Sequence, residues 1–225
     1  MTDIAVVDYG MGNLRSVHQA LRAVAPDASI VVTSDPHEVA TATRVVFPGQ
    51  GAMPDCMREL DARGLRSAIL DAAHRKPFLG ICIGMQMLFE HSAEGDVPGL
   101  GVLPGKVVRF AGNLRDAQGN KLKVPHMGWN QVRRIEHSAS TVGGSLKFDE
   151  HPLWAGIEQD ARFYFVHSYY VQPQDEQLVQ ATSCYPLPFV CAVGRDNLFG
   201  VQFHPEKSQG AGLALLRNFV NWNPV

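Results

Sequence analysis

The sequence predicts an α/β fold: a mostly parallel open sheet flanked by helices, with an antiparallel extension. Three observations carry this. Strand-like and helix-like stretches alternate over the first ninety or so residues. The texture changes to short strand-like pieces and Gly turns from about Ser92 to Ala161. Four strand-like stretches and one amphipathic helix then close the chain. Alternating β and α elements build a parallel sheet covered by helices, because each crossover returns the chain to the same end of the sheet.

Each element has its own signal. Asp3–Val7 is a short β-branched strand, followed by a Gly turn and the segment Asn13–Val24. There Leu14, Val17, Leu21 and Val24 recur at helical spacing and share one face. Ile30–Thr33 reads as a second strand. Asp35-Pro36-His37-Glu38 then looks like a helix start, with Asp as cap, Pro at the first position and Glu closing the box. Val45–Phe47 is a third strand running into Pro48-Gly49-Gln50-Gly51. Helical pieces near Asp55–Leu60 and Leu65–His74 follow. Phe78–Ile81 is a fourth strand, entering Cys82 and a helix expected to run through Phe89. Later strands are expected at Phe163–Tyr169, Leu178–Ser183, Phe189–Gly194 and Leu198–Phe203, before a final helix at Ala211–Trp222.

Composition narrows the class. At 225 residues, with 45% hydrophobic residues, one large domain with a sizeable core is expected. The chain carries 20 Lys+Arg against 22 Asp+Glu, a net charge of −2, which argues against a nucleic-acid or polybasic membrane surface. Charged residues make up 19%, below the roughly 25% of an average soluble protein, so much of the surface is expected to be covered. The most apolar run, Pro77–Phe89, falls well short of the roughly 20 residues that span a bilayer. The start MTDIAVVDYG lacks the basic region of a signal peptide. Cys56, Cys82, Cys184 and Cys191 show no CxxC spacing, which weakens zinc and dithiol readings and suits a cytoplasmic chain with reduced thiols.

Gly80-Ile81-Cys82-Ile83-Gly84 sits between a predicted strand and a predicted helix. Small residues two before and two after a nucleophile permit the sharp strand-to-helix turn that exposes its side chain. The helix N-terminus favours the thiolate, and the Ile83 N–H is placed to bind a developing oxyanion. The bland alternative is a buried structural Cys beside two packing glycines. A Cys nucleophile needs a base and the base an orienter. His204 ends a strand and is followed by Pro205-Glu206. In an extended chain His204 and Glu206 point the same way, so the carboxylate can hold the ring toward the thiol; otherwise Glu206 is a cap for the final helix. Gly49 or Gln50, at the sheet edge where α/β folds bind ligands, offers a second oxyanion donor or is a plain turn. Gly10-Met11-Gly12 resembles the start of a dinucleotide fingerprint, but Arg15 stands in place of the third glycine.

Together Pro48–Gly51, Gly80–Gln86 and His204–Glu206 resemble the class I glutamine amidotransferases, the triad glutaminases, over almost the whole chain. The resemblance implies a flavodoxin-like sheet and one amidotransferase domain over residues 1–225. It implies Cys82 as nucleophile, His204 as general base and acid, and Glu206 as orienter. Gly49, Gln50 and Ile83 would form the oxyanion hole. Gln86 and Glu94 would contact the α-amino and carboxylate end of L-glutamine, with Ser168 and Tyr169 flanking it. No metal or organic cofactor is implied. Asp8–Leu14 and Pro125–Asn130 are similar to one branch of the family, whose members pass ammonia to a (β/α)₈-barrel cyclase as a heterodimer in histidine biosynthesis. Asn13 and Trp129 are then the candidates for the docking surface, Trp129 being otherwise a core aromatic. The competing readings are a glutaminase serving anthranilate, pyridoxal phosphate or GMP synthesis, a Cys-dependent hydrolase of related fold, and a non-enzymatic nucleotide-binding module.

Overall fold

The computed structural model describes residues 2–135, 137–142, 145–149 and 151–224. Its first part is the expected alternation: β1 (Ile4–Val7), α1 (Leu14–Val24), β2 (Ile30–Thr33), α2 (Pro36–Thr41), β3 (Arg44–Gly49), α3 (Met53–Ala62), α4 (Arg66–Arg75), β4 (Phe78–Cys82) and α5 (Ile83–Gln86). The middle holds β5 (Phe89–Ser92), β6 (Val97–Pro98), β7 (Leu103–Arg109), β8 (His126–Gln131), β9 (Arg133–Arg134), β10 (His137–Val142) and β11 (Ser145–Asp149). The last part holds β12 (Arg162–His167), β13 (Tyr169–Pro173), β14 (Val179–Cys184), β15 (Pro188–Arg195), β16 (Leu198–Val201) and α6 (Gln209–Asn221).

Strands β2-β1-β3-β4-β16 form a parallel unit in that order, and β15, β13, β7, β5 and β6 extend the same sheet beyond β16. Every pair in the first unit is parallel, whereas β16–β15, β15–β13 and β13–β7 are antiparallel. This is the doubly wound order with an antiparallel extension. β1 and β4 are buried along their whole length, as strands covered on both faces must be. One face packs on α1 and α6 through Val17, Leu21, Leu215 and Phe219. Val39, Met57, Leu60 and Ile69, from α2, α3 and α4, cover the other. Each such side chain contributes about 1.5–3 kcal/mol by leaving water.

Asp35 caps α2 as expected, its carboxylate accepting from the His37 N–H at 2.8 Å. Two expected elements change. The helix after Cys82 does not reach Phe89 but ends after one turn, at Gln86. The Met87 and Leu88 carbonyls accept from the Leu100 and Val102 N–H groups, which draws the chain out into β5 against β7. The expected strand Phe163–Tyr169 is broken at Ser168. Its first half pairs with β8 and its second half with β7. Both halves alternate, so periodicity could not show that the chain changes sheets there. Further, α3 begins at Met53 rather than near Asp55, with Pro54 in its first turn. No helix among the described residues is long and apolar enough to cross a membrane.

Candidate active site

Cys82 ends β4 with φ 56° and ψ −116°, a left-handed backbone that a non-glycine residue adopts only under constraint. The flanking glycines supply that constraint. A Cβ on Gly84 would overlap the Phe47 carbonyl oxygen of β3, and one on Gly80 would sit 3.0 Å from the Met85 Cα. The turn of α5 is thereby pressed against the sheet, and the thiol is raised to the carboxyl edge. That edge, beside the change of winding direction, is where open α/β sheets place ligands.

The parallel neighbour β16 leads the chain to His204. After Val201 the chain bridges from the large sheet to β12: the Gln202 N–H donates to the Cys191 carbonyl and the His204 N–H to that of Tyr164. Pro205–Lys207 then forms a 3₁₀ turn with His204 at its start. The expected pairing of His204 with Glu206 is present, Nδ1 to Oε1 at 2.9 Å, but the turn and not an extended chain brings them together. Glu206 does not cap α6, which has no side-chain cap. Its side chain is 1% exposed and that of His204 6%. The other ring nitrogen, Nε2, is buried without a hydrogen bond and lies on the Cys82 side. Burial disfavours the charged imidazole, yet Cys82 and Glu206 on its two sides outweigh it and raise its pKa to about 10. A ring so placed holds a proton between the Cys82 sulfur and the Glu206 carboxylate.

Beside Cys82 lies a cavity of about 390 Å³, large enough for an amino acid. Gln50, Gly51, Ile83, Gln86, Glu94, Ser168 and Tyr169 line it together with Cys82. Gly49 does not line it: this residue is paired in register with Cys82 and wedged between Tyr9 and Ile83. The Gln50 carbonyl is turned toward α3, where the Cys56 thiol donates to it at 3.6 Å. Glu94 accepts from the Met53 N–H at 2.9 Å, at the start of α3, and burial raises its pKa. Gln86 donates to the Tyr169 carbonyl at 3.1 Å and to Gln202 Oε1 at 2.8 Å.

Asn13 is half-buried at the start of α1 and makes no side-chain cap. Trp129 is no core aromatic: it is 42% exposed on the outer face of β8, edge-on to Tyr164. Lys207, which lines the cavity, holds its ammonium over that same Tyr164 ring. The dinucleotide-like glycines serve the loop, since Gly12 approaches the Gly49 Cα. No metal-binding group of His, Cys, Asp or Glu occurs among the described residues.

Sequence reasoning did not single out Gln202, Lys207, His126 or His167. Gln202 is fully buried, and its amide nitrogen lies 3.6 Å from Cys82 Sγ. Its signal was available: a polar residue inside the apolar stretch expected as the strand Leu198–Phe203, two positions before His204.

A strand-to-helix thiol beside a buried His–Glu pair, over an amino-acid-sized cavity on a doubly wound fold, is an arrangement suited to cysteine-dependent amide hydrolysis. The family model described as glutamine amidotransferase class-I matches residues 5–222, and the chain belongs to that family. A protein of Thiobacillus denitrificans is 63% identical over 223 residues, covering 99% of this chain and 92% of its own. One of Nitrosospira multiformis is 62% identical over 226 residues, covering all of both. Both carry the name imidazole glycerol phosphate synthase subunit HisH. Among solved structures, a glutamine amidotransferase superposes with a TM-score of 0.67 at 17% identity, covering 96% of this chain and 97% of its own. Another glutamine amidotransferase, from Thermotoga maritima, gives 0.56 at 17% identity, covering 91% and 76%. At such identities these two structures speak to the fold alone.

Proposed function

We propose that this chain is the glutaminase subunit of an imidazole glycerol phosphate synthase, hydrolysing glutamine to glutamate and ammonia for a cyclase partner. The observation that carries the chemistry is the strained Cys82 beside His204–Glu206, with Gln86 and Glu94 lining the same cavity. The full-length identity to HisH subunits supports the particular synthase over those of anthranilate, pyridoxal phosphate or GMP.

The Cys82 thiolate attacks the side-chain amide carbon of glutamine while His204 carries the proton. The oxyanion that forms is held by the Ile83 N–H and by an N–H of the Gly49–Gln50 loop. Collapse breaks the C–N bond, and His204 gives its proton to the departing nitrogen, releasing ammonia and leaving a glutamyl thioester. His204 then takes a proton from water, whose oxygen attacks the thioester carbon. Glutamate leaves and the Cys82 thiolate and His204 imidazolium are restored. Glu206 holds the ring throughout. Glu94 is the carboxylate for the substrate α-ammonium, and the Ser168–Tyr169 backbone closes around the amino-acid end.

The partner is a (β/α)₈-barrel cyclase, docked at the carboxyl edge over Asn13 and Trp129. Such barrels place chemistry at one face, so ammonia passes between two facing sites without becoming ammonium in water. Cys82→Ala tests the chemistry: glutamine hydrolysis should disappear while Tm and partner binding persist. Labelling by a glutamine-mimicking electrophile should map to Cys82, with Cys56, Cys184 and Cys191 dispensable. Hydrolysis near the wild-type rate in Cys82→Ala refutes the assignment.

A further inference from the structure

Two buried histidines that the mechanism does not use adjoin the substrate cavity, His167 in its wall and His126 outside its lining. His126 comes from β8 and His167 from the end of β12, opposite each other in register. His126 Nδ1 and His167 Nε2 are 2.9 Å apart. His167 Nδ1 lies 2.8 Å from the Tyr169 carbonyl, and His126 Nε2 lies 3.3 Å from the Asn130 amide nitrogen. Phe165 and Tyr185 both stack on His126, at 5.1 and 4.1 Å between ring centres. The same Tyr169 carbonyl receives Gln86 from the cavity side.

Only one arrangement of protons fits these distances with neutral rings. A carbonyl can only accept, so His167 Nδ1 carries its hydrogen and Nε2 is bare. His126 must then donate from Nδ1, which leaves its Nε2 to accept from Asn130. The second Asn130 hydrogen goes to the Cys184 carbonyl at 2.9 Å, and Asn130 Oδ1 accepts from the Gln131 N–H at 2.8 Å. Past Tyr169 the order continues. Gln86 spends both amide hydrogens, on the Tyr169 carbonyl and on Gln202 Oε1, so its own oxygen is what it has left to offer the cavity. Gln202, its oxygen occupied, directs its amide nitrogen at Cys82 Sγ.

We propose that Asn130, His126 and His167 are positioning residues for the substrate site: they hold the Tyr169 carbonyl and thereby fix the Gln86 amide with its oxygen toward the cavity. Resting on the glutaminase reading, this names what the Gln86 oxygen selects, the α-ammonium of glutamine. The face of β8 that carries His126 and Asn130 serves the substrate, while Met127 and Trp129 point outward.

The test compares L-glutamine with glutaramate, the same chain without the α-amino group, in the chain assembled with its cyclase. His167→Leu removes the donor to Tyr169. It should raise KM for glutamine about tenfold with kcat within about twofold, and cut the selectivity for glutamine over glutaramate by about tenfold, the equivalent of about 1.4 kcal/mol. His167→Asn, whose amide nitrogen replaces Nδ1, should restore both values to within about threefold. If His167→Leu does not fold, His167→Gln, which keeps a bond to His126 but not to Tyr169, carries the same expectation. Unchanged selectivity in the donor-free variant, or equal losses in the Leu and Asn variants, overturns the proposal. Absence of glutamine hydrolysis in the wild-type complex would instead overturn the glutaminase reading.

Discussion

At the scale of single residues, the unit of the proposed chemistry is His204 between two partners. Its raised pKa means that the imidazolium is the resting form at neutral pH, so the proton needed by departing ammonia is already in place. In the proposed mechanism Glu206 acts through that ring, its bonded oxygen facing Nδ1 at 2.9 Å. Glu206→Gln should therefore lower kcat less than His204→Ala does, and adding it to His204→Ala should cost little more, because residues acting as a unit are non-additive. Steady-state glutaminase rates of the two single variants and the double variant check this. Fully additive logarithmic losses would place Glu206 outside the triad. Gln202 makes a second case. Its amide faces the sulfur at 3.6 Å, so Gln202→Leu should reduce Cys82 alkylation by chloroacetamide at neutral pH several-fold.

Among the elements, the turn from β4 into α5 and the two-faced strand β8 matter most. Gly84 lies against the Phe47 carbonyl, part of a backbone strand that cannot yield as a side chain would. Gly84→Ala should cost about 1–3 kcal/mol. Since about 2–4 °C of Tm accompanies each kcal/mol in a chain of this size, thermal unfolding should fall by several degrees, with glutaminase activity lost out of proportion. An unchanged Tm would mean that α5 is not pressed on the sheet. In β8 the outward Trp129, 42% exposed, contributes little to folding. Trp129→Ala should leave Tm within about 2 °C yet weaken cyclase binding about tenfold, as loss of an aromatic anchor does. Calorimetry and titration of the partner separate the two effects.

The whole molecule responds to pH through its buried histidines. Burial pushes His126 and His151 down to about 4 and His167 to about 3, below the ordinary value near 6.5. Between these limits the unfolded chain binds more protons than the folded one. The stability they contribute is therefore complete above pH 6.5 and is lost as pH falls toward 4. Tm should drop by on the order of 10 °C between pH 6.5 and 4.5, above the range where most carboxylates titrate. His204 works the other way: its contribution is complete below pH 6.5 and fades as pH climbs through about 10. A flat Tm from pH 6.5 to 4.5 would show these rings to be solvated. For the assembly, adding the cyclase and its nucleotide ligand should raise glutaminase turnover by about 10²–10³-fold if docking completes the oxyanion hole. The complex carrying Cys82→Ala should still form product from ammonium salt and none from glutamine. Full-speed hydrolysis by the isolated chain, unaltered by the cyclase, would exclude partner gating.

What the amino-acid sequence determined by itself is whatever short-range pattern encodes. The alternation up to Cys82 is legible because strand and helix periods differ, and the Asp35 cap because capping is local. The glycines around Cys82 are legible because a sharp turn requires them within five residues. His204 and Glu206 are legible as a pair, though through a 3₁₀ turn and not an extended chain. Tertiary structure alone decided the rest. Cys82 and His204 share a site because β4 and β16 are parallel neighbours, and no local pattern ties Ile81 to Val201. The chain breaks at Ser168 because β8 and β7 claim its two halves, and α5 ends early because the Leu100–Val102 backbone takes the Met87 and Leu88 carbonyls. The His126–His167 pair was invisible for the same reason: hydrogen bonds between distant strands depend on register, which the sequence carries only through the packing of the entire sheet.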